Sequence, residues 1–141
     1  MEFVQPFPDY IGLTLLITGG LNAAVFCQAF DSVIGAHDIF RTFFHKSGER
    51  WLPAVELPSE KFSLRLETGL SLPPNLPARK YAQELAIKLR AKGLDPRVPP
   101  LFRAALYNTA PEEYVFSFWA EHVIFDRESC RILTGEIFTY Y

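Results

Sequence analysis

The chain is short of most features that announce a function. Its 141 residues contain two cysteines, one methionine and three histidines. The few thiols and imidazoles show no metal-ligand spacing, and Cys27 and Cys130 fall on apolar helical stripes, so they read as reduced core thiols rather than a disulfide. No Lys/Arg run occurs, and 14 basic against 16 acidic residues leave a net charge of −2. That balance argues against nucleic acid or an anionic membrane as the main partner. The longest apolar stretch, around Leu13 to Ile17, has the length of a strand and falls far short of the ~20 residues that span a bilayer. The first ten residues, MEFVQPFPDY, are acidic and Pro-broken and do not resemble a secretory signal, so a cytoplasmic location is expected.

Apolar and aromatic surface is plentiful, with 49% hydrophobic residues, 13 Phe, 6 Tyr and 2 Trp. Such a chain can bury a core, and its length suits one domain, 1–141, with 1–11 as an irregular leader. Eleven prolines punctuate it. The run Gly12 to Thr18 predicts a strand, ended by Gly19-Gly20. Asn22 then caps a helix to about Ala36 with Ala23, Phe26, Cys27, Phe30, Val33 and Ile34 on its buried stripe. DIFRTFFH and ERWLPAVEL predict a hairpin turning at Lys46-Ser47-Gly48, and Phe62 to Glu67 a further strand. After the Pro-rich Leu72 to Pro77, a helix from Ala78 to Lys92 has a polar outer face and Gly93 beyond its end. In the last third, Phe102 to Asn108 and Tyr114 to Glu121 predict paired strands. The second is apolar on both faces and therefore central, and a helix follows from about Arg127.

Between that central strand and that helix lies EHVIFDR, Glu121 to Arg127, which gathers a His, two carboxylates and an Arg at a strand end, where sites are commonly built. His122 could serve as a general base, because an imidazole titrates near neutral pH. The structural reading is equally direct: Asp126 is a natural N-cap, and His122 a hydrogen-bonding residue at a strand end. Gly19-Gly20 before a helix could hold an anion, although a strand-to-helix turn accounts for it. Cys130, near the start of the last helix, reads as a buried thiol.

Several segments in order resemble the N-terminal lobe of the condensation domains of nonribosomal peptide synthetases, in the chloramphenicol-acetyltransferase-like superfamily. LNAAVFCQAFDSVIGAH is similar to the first helix, AHDIFRTFF (Ala36 to Phe44) to the RHExLRTxF motif, RVPPLFRAAL to the strand approaching the site, and EHVIFDR to the HHxxxDG signature. The resemblance implies one lobe of that α/β (α+β) fold, a mixed, mostly antiparallel sheet with helices packed on it, the first and last helices on one face. It implies acyl or peptidyl transfer from a carrier-protein thioester to an amine or hydroxyl, with His122 catalytic and Asp126 holding the loop through an ion pair, for which Arg41 is the expected partner. No bound cofactor or metal is implied; a phosphopantetheine thioester would come as part of the substrate. Glu121 replaces the first His and Arg127 the Gly, so these two positions would modulate the site, Arg127 by bulk and, at a positive φ, by strain. The family's domain has two lobes, so the chain is expected to act with a second lobe, another part of a synthetase or a carrier protein, or to self-associate. The alternative is a non-catalytic module that docks a carrier protein or another synthetase component.

Overall fold

The computed structural model describes residues 10–68 and 75–141. The chain begins with β1, Tyr10–Thr18, and α1, Ala23–Ala36. Asn22 caps α1 by accepting the Val25 amide at 3.1 Å, as its side-chain chemistry predicts. Phe26, Ala29, Phe30, Val33 and Ile34 are buried, while Ala23 and Cys27 lie half-buried at the edge of the stripe.

DIFR does not start a strand. Asp38–Arg41 forms a single 3-10 turn, and β2 begins only at Thr42 (Thr42–Ser47), pairing with β3 (Arg50–Val55) in a separate two-stranded sheet. The hairpin turns at Gly48-Glu49, with Gly48 at φ +63°, the left-handed conformation that glycine adopts without strain. A second departure falls at Phe62 to Glu67. Glu60–Phe62 is another 3-10 turn that buries Phe62, leaving only β4, Leu66–Glu67, to pair in parallel with the later strand β5, Phe102–Ala110.

Helix α2, Ala78–Ala91, ends as read, with Lys92 at the cap and Gly93 at φ +68°. The first half of the Leu72 to Pro77 segment, 72–74, lies outside the described residues. Strands β5 (Phe102–Ala110) and β6 (Glu113–Glu121) form a hairpin through Pro111-Glu112, and α3 spans Arg127–Tyr140.

The main sheet has the order β1-β6-β5-β4, antiparallel except for β4. Strand β6 is central, and its alternation divides the core. Phe116 and Phe118 face α1 and α3 in a cluster with Phe26, Phe30, Phe40 and Phe102, in which the Phe102 and Phe118 rings stack at 5.3 Å. Val115 and, at the margin, Trp119 face α2 with Tyr81, Leu85 and Leu89. Ser117, fully buried on that same side, is satisfied by the Thr14 hydroxyl at 2.9 Å and the Trp119 indole N–H at 3.1 Å. Tyr10 and Ile11, assigned from the sequence to the leader, continue β1, opposite Glu121 and Ala120. Among the described residues no helix is long and apolar enough to cross a membrane.

Candidate functional site

Strand β6 ends at Glu121, whose amide donates to the Leu101 carbonyl at 3.0 Å. The next four residues close two overlapping turns: the Ile124 amide donates to Glu121 O at 3.1 Å, and the Phe125 amide to His122 O at 3.4 Å. Burial of Ile124 and Phe125 pins the segment, the Phe125 ring lying 5.0 Å from Phe118 and 5.8 Å from Phe40. With those two residues turned inward, His122 and Val123 face outward. The side chain of Glu121 is buried, only 2% exposed, so strand alternation puts the two neighbours in opposite surroundings.

Asp126 is the N-cap of α3. Its carboxylate accepts the Ser129 amide at 2.8 Å and the Ser129 hydroxyl at 2.7 Å. These bonds, the hydroxyl's foremost, hold its pKa below the usual carboxylate value, with a smaller contribution from the nearby His122 imidazole. Asp126 therefore remains anionic beside His122 at neutral pH.

The expected Asp126–Arg41 ion pair does not form. Arg41 closes the first 3-10 turn beneath the end of α1, and its buried guanidinium donates to Glu56 O at 2.5 Å, to Asp38 Oδ1 at 2.7 Å and, at the 3.4 Å limit, to Gly35 O. Asp126 is satisfied by a helix terminus three residues away, a local partner that needs no distant cation. Arg41 thus ties the turn after α1 to the residue that follows β3, and its guanidinium bonds no residue of the His122 loop. Arg127 opens α3 in an exposed position and is absent from the residues of positive φ, so the anticipated strain does not arise.

Sequence reasoning also missed a contact beside this loop. His37, read only as the end of the α1 stripe, meets Glu136 of α3 at 2.5 Å, a pairing across 99 positions that no local pattern signals. The pair borders a pocket of about 190 Å³ between α1 and α3, whose lining includes Val33, Leu133 and two members of the loop region, Phe125 and Ser129. Both thiols are free and half-buried, and burial raises their pKa values. No cluster of metal-ligating side chains occurs among the described residues.

The condensation-domain family model matches residues 11–141, nearly the whole chain. The chain belongs to the condensation-domain family. It is 30% identical to tyrocidine synthase 3 of Brevibacillus parabrevis and 29% identical to bacitracin synthase 3 of Bacillus licheniformis, over 90% and 93% of its length. It spans only 2% of each of those very long relatives. Among solved structures, the tallysomycin biosynthesis protein TlmII superposes with a TM-score of 0.81 at 21% identity, over 96% of this chain and 32% of that one. The starter condensation domain of rhizomide synthetase RzmA gives 0.78 at 22% identity, over 96% and 33%. The chain therefore has the condensation-domain fold over about a third of the length of such chains.

Proposed function

We propose that this chain forms part of a condensation domain that makes an amide or ester from a carrier-protein-borne thioester, with His122 acting on the nucleophile. The observation that carries the reading is an outward-facing imidazole on a turn held by two buried side chains, between a central strand and a capped helix. In the proposed step the imidazole takes a proton as the acceptor amine or hydroxyl attacks the thioester carbonyl. The resulting tetrahedral adduct expels the thiolate, which recovers the proton from the imidazolium, leaving amide or ester and free thiol. The thioester would arrive on a phosphopantetheine arm as part of the substrate, and no metal takes part. Asp126, kept anionic by Ser129, stabilises the imidazolium at a distance and fixes the start of α3. A cytoplasmic setting belongs to the proposal, and the free thiols support it.

The departures at Glu121 and Arg127 favour a second reading, a lobe that docks a carrier protein or another synthetase component without catalysis. The two separate by mass-spectrometric detection of acyl transfer from an acylated carrier protein to an amine, with the remainder of a condensation domain supplied in trans. On the catalytic reading His122→Ala lowers the rate by about 10²–10⁴. An unchanged rate would remove His122 from the chemistry, and an inert wild-type complex that still binds the carrier would establish the docking reading.

A further inference from the structure

Helix α2 carries a charge that its own stability does not explain. With its cap residue it bears Arg79, Lys80, Lys88, Arg90 and Lys92 against one carboxylate, Glu84, in a chain whose net charge is −2. None of the five cations has an ion-pair partner among the described residues. Lys88, Arg90 and Lys92 sit at the C-terminal end, where the helix dipole welcomes cations. Arg79 and Lys80 sit in the first turn, where it opposes them and where no acidic residue stands.

The inner face of α2 is accounted for by Tyr81, Ala82, Leu85, Ala86 and Leu89, all buried against the sheet. At the centre of the opposite face stands Ile87, 67% exposed, with Lys80 two turns before it and Arg90 one turn after it. Ile87 and Arg90 also border an open notch of about 460 Å³ whose lining includes Tyr10 and Gly93. The Arg90 guanidinium lies 5.3 Å from the centre of the Trp119 ring, which keeps it in place beside the notch. An exposed apolar residue with Lys80 and Arg90 along the helix on either side, and a recess that Arg90 borders, match a partner that offers carboxylates around an apolar anchor.

We infer that the outer face of α2 is a docking surface for an acidic protein helix, with Ile87 and the neighbouring notch receiving its apolar side chain. Charge complementarity selects the acidic partner, and the exposed Ile87 with its notch favours protein over nucleic acid, which binds through phosphate contacts and has no use for an aliphatic anchor. The notch lies at the His122 end of the sheet, since Tyr10, which lines it, pairs with Glu121, whereas the start of α2 lies beside Thr14 to Leu16. Docking does not depend on His122 being catalytic.

The test uses the full chain and a fluorescein-labelled, Glu/Ala-rich helical peptide of about 20 residues with one central leucine, followed by fluorescence anisotropy at low and moderate salt. Binding is expected, weakening with salt, falling at least tenfold in Lys80→Glu/Lys88→Glu and several-fold in Ile87→Ser. Those three side chains are exposed, so the variants should fold, which circular dichroism verifies. Absence of binding, or equal affinity of wild type and both variants, overturns the inference. So does tighter binding of a 20-nucleotide single-stranded DNA or of phosphatidylserine vesicles than of the peptide. The readout is binding alone, so its failure is distinct from loss of acyl transfer in His122→Ala.

Discussion

Replacing Arg41 with Met keeps the aliphatic stem and removes the guanidinium, and the structure sets the size of the effect. The Asp38 partner is 77% exposed at its side chain, so that pair contributes at most about 1 kcal/mol. The contact to Gly35 O at 3.4 Å adds little. The dominant interaction is the charge-assisted bond to Glu56 O, about 1.5–3 kcal/mol, while the buried Arg41 Nε, which has no hydrogen-bond partner among the described residues, subtracts from the total. A net loss of about 2 kcal/mol follows, or about 8 °C in Tm at roughly 4 °C per kcal/mol for a domain of this size. Urea unfolding followed by tryptophan fluorescence measures it, with Trp51 on β3 reporting from the second sheet. The same experiment in a double-mutant cycle tests the partner assignment. The midpoint shifts of Arg41→Met and Asp126→Asn should add, whereas those of Arg41→Met and Asp38→Ala should not. A loss below about 0.5 kcal/mol, within the range of an ordinary surface change, would refute the clamp. Coupling between Arg41 and Asp126 would restore the ion pair expected from the sequence.

Two further outcomes are expected. A Cβ at Gly12 would lie 1.9 Å from the Phe118 carbonyl oxygen, and because the obstacle is backbone, β1 must move away from β6; Gly12→Ala should cost at least about 2–3 kcal/mol and speed amide exchange from Leu13 to Ile17, and wild-type exchange rates would contradict this. Asp31 has its pKa raised by burial, partly offset by hydrogen bonds from the Leu64 amide at 2.9 Å and from Ser63. Its native state binds the proton more tightly than the unfolded chain does, so its contribution is largest below the unfolded pKa and is lost as pH rises through the folded one. Asp31→Asn keeps an acceptor for Leu64 and should flatten the stability profile across that acidic window. A profile that is unchanged, or that steepens in the same direction, would remove Asp31 as its source.

What could be read in advance followed from local chemistry. The Asn22 and Asp126 caps, the positive-φ glycines at 48 and 93, the stripes of α1 and α2, and the two-sided burial of β6 each depend on residues within a few positions of one another. DIFR misled because aromatic and β-branched residues suit a strand as well as they suit a buried 3-10 turn, and Phe40 packs against Phe102, Phe118 and Phe125 from that turn. The partners of Arg41 and His37 are fixed by the path of the chain in space, and charge type alone cannot choose among sixteen carboxylates and every free carbonyl. The cations of α2 were visible only as a polar face until the structure showed them without ion-pair partners among the described residues.

The pairing of β1 with β6 has a consequence for biosynthesis. Tyr10 waits for Glu121, and the Asn22 amide donates to the hydroxyl of Tyr141, so both elements at the start of the chain are completed by residues made more than a hundred positions later. At a translation rate of about 5–20 residues per second, the first strand and helix emerge several seconds before β6 exists. During that interval the uncharged run GLTLLIT and the apolar stripe of α1 have no native cover. A nascent chain stopped before Tyr114 would lack the strand on which both halves of its core are laid, so folding must come late, all at once, and under the care of whatever shields that segment on the ribosome.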